Sequence, residues 1–434
     1  NIGLRAGKPV YSYEGWWGYD SMPVIYSTNG SEYQTGNWAE EIISGDESVN
    51  AYWITKGMDG WRLDVANEVS DETWQNFRDS VKALDSDAVI IGEIWDDATK
   101  YLMGDMYDSV MNYLFRNAVV GFAKGNSASQ TTRELEKIRE RYPEEAFYAM
   151  MNLVGSHDTT RILSYLDGIG DDRNQKDFNS AFPTYEGTSQ LAKDRQYLVA
   201  FLQFTYAGAP TIYYGDEIGM VGSDDPDDRR AFEWGKGNKE LVEWYAKLAA
   251  IRESYTSLRT GSVQPIDTEN KNVMGYARDN IIVLANNATT AQTVAIEGTY
   301  RDVLRGDKYT DSVSVPAMNG VILVLENELK TVAYDLAGLT PAYDSAYIVP
   351  KRSATPHVHD CTKQVVADEY LATAADCENA ATYYYSCECG EKGTETFTVG
   401  TADTYDHNFV DDVCACGAVK ISETTFPDTN FRAH

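Results

Sequence analysis

The sequence predicts an α/β region built of βα repeats, then an all-β sandwich, then a small Cys-rich module. Three observations carry this reading. Over residues 1–255 apolar runs alternate with amphipathic stretches, and Asp64 and Glu93, each near the end of an apolar run, stand 29 positions apart, close to the ~30 residues of one βα unit. From about residue 256 the pattern changes to short alternating runs broken by turn residues. All six cysteines and four of the five histidines fall beyond residue 356, which marks a module stabilised in a different way.

At 434 residues the chain has length for about three domains. A composition of 43% hydrophobic and 24% charged residues is that of a globular protein. The net charge of −30 repels phosphate, which argues against nucleic acid and anionic membrane surfaces as partners. The uncharged run Tyr197–Gly215 has membrane-spanning length, but it carries Gln203, Thr205, Pro210 and Thr211 and reads as buried core, so no transmembrane segment is expected. The chain opens at Asn1 with no charged-then-apolar leader, and a new segment begins near residue 420. These ends are expected to be those of a fragment.

Taken in order, Asp59–Val65 reads as a strand whose period-two alternation sends Trp61, Leu63 and Val65 to one face and Arg62 and Asp64 to the other. Ser70-Asp71-Glu72 is a helix start, and Trp74, Phe77, Val81 and Leu84 follow at helical spacing. Ala88–Trp95 is the next strand. Ile281–Leu284 and Val321–Val324 are strand cores of the sandwich at 256–330, punctuated by Gly298, Gly306 and Asn319-Gly320. Residues 331–356, with Pro341, Pro350 and Pro356, read as a linker.

Three acidic positions suggest chemistry. Arg62 and Asp64 on one strand face form either a structural ion pair or a carboxylate kept charged by its guanidinium, as a nucleophile requires. Glu93 follows Gly92 and precedes Trp95; a carboxyl beside aromatic bulk and another carboxylate tends to keep its proton and so can act as an acid. In NLVGSHDTTR (Asn152–Arg161), His157-Asp158 is either a structural pair or part of a site.

In this order, strand–Arg-x-Asp, strand–Glu and strand–His-Asp resemble the α-amylase family of glycoside hydrolases, over roughly residues 10–330. GWRLDVANEV (Gly60–Val69), GEIW (Gly92–Trp95), GSHDT (Gly155–Thr159) and GAPTIYYGDEIG (Gly208–Gly219) are similar to its neopullulanase, cyclomaltodextrinase and amylopullulanase branch. MNYLFRN (Met111–Asn117), RYPEEAFY (Arg141–Tyr148) and DDPDDRR (Asp224–Arg230) resemble the amylopullulanases. The resemblance implies a (β/α)8 barrel over 1–255, the catalytic domain, with active-site residues at the strand C-termini. The family's Asp-Asn-His signature has no counterpart, because no histidine precedes His157. N-terminal barrel strands, about three βα units, are therefore expected to be missing from this chain. Met22–Asn29 also departs from the family's form after its proline.

Carried over by position, Asp64 becomes the nucleophile, Glu93 the general acid and then base, and Asp158 the ligand of sugar hydroxyls in the transition state. Such retention needs the two reacting carboxyls about 5–5.5 Å apart. Arg62 and His157 hold the nucleophile and the reacting ring. Asn67 and Glu68 face the leaving group. Trp16, Trp17 and Tyr19, within YEGWWGYD (Tyr13–Asp20), offer stacking faces to sugars, and Arg161, Asp227 and Arg229 complete the substrate-binding set. The implied function is retaining, endo-acting hydrolysis of α-1,4 and, in part, α-1,6 bonds of starch, pullulan or maltodextrins. Transglycosylation and non-catalytic glucan binding on the same fold are the alternatives. No cofactor is needed for the chemistry; a structural calcium ion suits the family, with no ligands to name.

In the Cys-rich module (357–419), Cys387-Glu388-Cys389-Gly390 recurs 27 residues on as Cys414-Ala415-Cys416-Gly417. With Cys361 and Cys377 the set allows 15 disulfide pairings, while His359 and His407 leave zinc open; free thiols are the third alternative. Tyr383-Tyr384-Tyr385 is a sugar-stacking surface or ordinary packing. FPDTNFRAH (Phe426–His434) resembles the opening of a further surface repeat. A secreted or cell-surface protein of a Gram-positive bacterium is expected, attached to the cell wall through missing C-terminal modules.

Overall fold

The computed structural model describes residues 2–5, 8–11, 15–19, 21–22, 37–170, 184–344, 361–375, 379–387, 392–400, 409–411 and 413–414. Expectations placed on Tyr13, on 23–29, on Cys377, Cys389, Cys416, His359 and His407, and on 420–434 lie outside the described residues. The chain divides into two compact units, Asn1–Ile348 and Val349–His434.

In the first unit, β1 (Ile2–Arg5) and β2 (Lys8–Tyr11) pair as an antiparallel hairpin. Five parallel strands follow among the described residues: β3 (Gly60–Leu63), β4 (Val89–Gly92), β5 (Ser109–Val110), β6 (Met151–Leu153) and β7 (Ala209–Thr211). β3, β4 and β5 form one ladder and β6 and β7 another, and a parallel bridge between Met111 and Met151 joins the two. Parallel strands need long crossovers, and helices supply them: Asp71–Leu84 after β3, Tyr113–Ala123 and Ala128–Arg141 after β5, and Gln190–Thr205 after β6.

Each crossover begins with a capping side chain. Ser70 Oγ accepts the amide of Thr73 at 3.3 Å, Asn112 Oδ1 that of Phe115 at 3.0 Å, and Ser189 Oγ that of Ala192 at 3.2 Å, satisfying amides that no helical carbonyl reaches. On Asp71–Leu84 the buried face is Thr73, Phe77 and Val81, with Trp74 packed beside it; Leu84, in the final turn, finds no cover and is exposed. The uncharged run Tyr197–Gly215 is the buried second half of a helix plus β7, and no described helix is long and apolar enough to cross a membrane.

The expected sandwich is instead one antiparallel sheet of six strands, β8 (Val263–Ile266), β9 (Val273–Arg278), β10 (Ile281–Asn286), β11 (Gln292–Asp302), β12 (Lys308–Val315) and β13 (Asn319–Val324), in the order β12-β11-β13-β10-β9-β8. One long strand, β11 (Gln292–Asp302), shifts register between Ala295 and Thr299; such an irregularity bends a strand, and Val273, Leu284, Val294, Val313, Val321 and Leu323 cluster on one another. The residues of the opposite face, Met274, Tyr276, Val283, Ile322 and Val324, join the main core together with helix Gln190–Thr205. Alternation alone reports two faces of a strand and not how many sheets cover them.

The expected linker is also partly built into this unit. Leu339, Ala342 and Tyr343 pack on Ile218, Met220 and Val242, and the amides of Gly235 and Gly237 donate to the carbonyls of Pro341 and Ala342 at 2.8 and 2.9 Å. Its prolines mark a break in periodicity, not a break in packing. In the second unit, β14 (Leu371–Thr373), β15 (Ala381–Ser386) and β16 (Lys392–Val399) make an antiparallel sheet, and β17 (Phe409–Val410) pairs with β18 (Val413–Cys414). Tyr383 and Tyr385 are half-buried against Phe397 at 6.0 and 4.9 Å between ring centres, and Cys387 and Cys414 are buried.

Gly320 lets β13 lie on the barrel helix: a Cβ there would stand 2.2 Å from the Phe201 ring. Gly320→Ala should therefore cost about 1–3 kcal/mol by overpacking, read as a lower denaturation midpoint; an unchanged midpoint would mean that the helix and sheet are not in tight contact here.

Candidate active site

The site grows from the C-terminal ends of the parallel strands. β3 was expected to run to Val65 but stops at Leu63, because Val65 takes a left-handed conformation (φ 42°, ψ 48°). A β-branched residue is rarely found there, and such strain costs on the order of 1–3 kcal/mol. The turn brings the Val65 amide to Glu93 Oε2, to which it donates at 2.9 Å. The Glu93 amide in turn donates to the Leu63 carbonyl at 2.9 Å, continuing the ladder one residue past β4.

Arg62, the last outward residue of β3, joins the two strand ends. Its Nη1 hydrogen-bonds Asp64, and its Nη2 lies 2.9 Å from Glu93 Oε1 in an ion pair. Glu93 is only 3% exposed, whereas the Asp64 side chain is 74% exposed. One carboxylate is thus held in the wall and the other is presented to solvent. Gly92 makes room for this: a Cβ there would stand 2.7 Å from the Tyr107 ring.

The third carboxylate comes from the turn after β6. The Asp158 amide donates to Ser156 Oγ at 3.2 Å, and Ser156 Oγ accepts the Tyr113 hydroxyl at 3.1 Å. Burial pushes the Tyr113 phenol up to about 12, which keeps it a donor at neutral pH. Asp158 Oδ1 receives Arg229 Nη2 at 2.8 Å, and Oδ2 lies 3.2 Å from His157 Nε2. Arg229 Nε donates to the His157 carbonyl at 2.7 Å and also pairs with Asp225 at 3.1 Å.

These groups line one cleft of about 580 Å³. Asp64, Glu93, His157, Asp158 and Arg229 face it together with Asn67, Glu68, Trp16 and Trp17. Trp16 and Trp17 stack at 4.2 Å. Trp95 also lines the cleft, stacked flat on Tyr113 at 3.9 Å, and was not among the expected site residues; its place two residues after Glu93 was the available signal. Arg62 lies under the cleft, holding its carboxylates. Tyr19 is exposed and is not among the lining residues.

Two expected substrate ligands are placed elsewhere. Arg161 is fully buried, donating to the carbonyls of Asp228 (2.7 Å) and Tyr214, so its guanidinium has no face toward the cleft. Asp227 is held within its own loop by Ser223 and by both forks of Arg230 at 2.7 Å. Sequence gives the charge of such residues but not the side of the loop on which it falls. Among the described residues no three His, Cys, Asp or Glu side chains come together as a metal site.

Residues 10–248 match the model of the alpha amylase catalytic domain. The chain belongs to the α-amylase family. It is 38% identical over 362 residues to an amylopullulanase of Thermoanaerobacter thermohydrosulfuricus, covering 73% of this chain and 24% of that protein. It is 40% identical over 275 residues to neopullulanase 2 of Thermoactinomyces vulgaris, covering 60% and 43%. Among solved structures, the type III pullulan hydrolase from Thermococcus kodakarensis superposes with a TM-score of 0.56 at 29% identity, over 63% of this chain and 46% of that one. The chain thus spans about a quarter of the amylopullulanase and under half of the others. The family relationship assigns the parallel strands to a (β/α)8 barrel with a β domain after it.

Beneath the cleft of this α-amylase family member, burial pushes the carboxyls of Asp216 and Asp228 up to about 7. Unfolded, each would titrate near 3.8, so the folded state binds more protons between about pH 4 and 7 and loses stability as pH rises through that window. Asp228→Asn removes one such group. Its denaturation midpoint, relative to wild type, should rise between pH 5 and pH 8. An offset that is the same at both pH values would show that Asp228 does not titrate in this range.

Proposed function

We propose that this chain is a retaining, endo-acting hydrolase of α-glucans that cleaves α-1,4 and some α-1,6 bonds. The observation that carries the reading is Arg62, one guanidinium bridging Asp64 and Glu93 at adjacent strand ends. Carboxyls bound to two nitrogens of one guanidinium are held close, which supports the ~5–5.5 Å spacing of a double-displacement site over the wider spacing that leaves room for an inverting water.

In this reading Asp64, paired with Arg62 and open to the cleft, attacks the anomeric carbon as the bond to the leaving oxygen breaks, and forms a glycosyl-enzyme ester. Glu93 turns from its partners, takes up a proton and gives it to the leaving oxygen, and afterwards takes a proton from the attacking water. Asp158 accepts hydrogen bonds from ring hydroxyls, and sugar competes with Arg229 for its oxygens. Trp16, Trp17 and Trp95 supply flat apolar faces for glucose units. Asn67 and Glu68, one turn past Asp64, touch the acceptor side, where bond preference is set. The names of the relatives, among them amylopullulanase, neopullulanase and a pullulan hydrolase, support an α-glucan as substrate. With this activity we place the protein outside the cell, where its acidic surface and cysteine-bearing C-terminal unit are at home.

Incubation with amylose and pullulan tests the reading. Wild type should release maltotriose from pullulan where it cuts α-1,6 bonds and panose where it cuts α-1,4 bonds. Glu93→Gln should lower turnover by about 10²–10⁴-fold while retaining glucan affinity. Release of no sugar from either polymer, or full turnover by the variant, would overturn it.

A further inference from the structure

We infer that Arg161 is a positioning residue, the buried half of a reciprocal clasp that sets Arg229 on Asp158. The inference rests on the function proposed above for Asp158. Arg161 stands three residues after Asp158, where the turn after β6 enters helix Ile162–Leu166, and its side chain is wholly buried. It grips the segment after β7 at several points. Nε donates to the Asp228 carbonyl at 2.7 Å, Nη1 donates to the Tyr214 carbonyl, and Nη1 lies 3.5 Å from Asp216 Oδ1. The guanidinium also stacks over the Tyr213 and Tyr214 rings at 4.1 and 4.5 Å, and the Arg161 amide donates to the Gly222 carbonyl at 3.2 Å.

The grip on the Asp228 carbonyl falls at the peptide from which Arg229 departs. Arg229 reaches back across the gap to the His157 carbonyl at 2.7 Å and to Asp158 Oδ1 at 2.8 Å. Each loop therefore sends one arginine to the other, and the contacts close a ring: Asp158, Arg161, the Asp228–Arg229 peptide, and Asp158 again. The two members differ in exposure. Arg229, 42% exposed, can yield Asp158 to a sugar hydroxyl, whereas Arg161, with none of its side chain exposed, keeps the register of the loops as it does so. Its donors spread over two carbonyls, an aspartate and two rings, a geometry that an ammonium group cannot reproduce.

The clasp is tested with Arg161→Lys, which keeps the charge and loses the fork. Two readouts separate positioning from function. Hydrogen exchange, which needs no activity, should quicken at residues 222–230; unchanged exchange there overturns the clasp. On a soluble maltooligosaccharide, kcat should fall at least tenfold with KM moved less than threefold. In an Arg229→Ala background, adding Arg161→Lys should lower kcat less than threefold further, because the contact it acts through is already gone. Full multiplicative loss in the double variant overturns the inference. Should Arg161→Lys not fold, Tyr213→Leu, which removes one stacking ring and leaves the hydrogen bonds, replaces it in both arms with the same expected outcomes. An inactive wild type would defeat the functional reading instead, and the exchange arm alone would then decide the clasp.

Discussion

The arrangement at the strand ends depends on where the charge of Arg62 goes. Glu93 is almost wholly buried, and a buried carboxylate without donors is costly by several kcal/mol. Two partners meet it, the Arg62 guanidinium in an ion pair and the Val65 amide as a hydrogen-bond donor, and each is placed by a local feature of β3. Period-two alternation puts Arg62 on the same face of the sheet as Glu93, two residues past its partner Ile91 on β4. The left-handed turn at Val65 follows the end of the strand at Leu63 and directs an amide, which a continuing strand would have used in its ladder, at Glu93. The strain at Val65 is thus compensated by satisfying a buried carboxylate, and it releases Asp64 from the strand into solvent.

A second knot with the same logic lies across the cleft. Asp158 is oriented from behind by Ser156 and Tyr113 and from the side by Arg229, and Arg161 ties the loop of Arg229 to the turn that carries Asp158. Both knots use an arginine because a planar fork with several donors fixes two partners in one plane, whereas a flexible ammonium fixes one. The segment 337–343, packed on Ile218 and Val242, covers the loop after β7 from its far side, so the chain beyond the β domain contributes to holding the site.

Much of this was legible where local chemistry decides structure. Ser70 capped the helix it was expected to cap, and Phe77 and Val81 faced the core, because capping and amphipathic spacing act within one or two turns. Arg62, Asp64, Glu93, His157 and Asp158 met at one cleft because residues at equivalent ends of successive parallel strands are neighbours by construction. What was not legible depended on tertiary context. Leu84 fits the apolar face but has nothing beneath it. Residues 337–343 lack periodicity yet pack three partly buried apolar side chains on Ile218, Met220 and Val242. Arg161 carries a charge, which from sequence suggests a polar substrate, but its partners are carbonyls of a loop more than 50 residues away. Trp95 counted only as bulk beside Glu93, because its stacking on Tyr113 joins two different strand ends.

The asymmetry between the two reacting carboxylates follows from these constraints. Asp64 is paired with Arg62 Nη1, and most of its side chain faces water. Glu93 has both oxygens engaged within the wall, Oε1 in the Arg62 ion pair and Oε2 by the Val65 amide, and in the proposed acid role it would take up a proton and give up at least one of them. The Val65 amide is fixed by backbone, whereas the Arg62 guanidinium has a second carboxylate to fall back on. The contact that yields more readily is therefore Arg62–Glu93. When it yields, the guanidinium pairs with Asp64 alone. One arginine shared by Asp64 and Glu93 thereby ties a carboxylate in the wall to one in solvent, using only residues at the ends of β3 and β4.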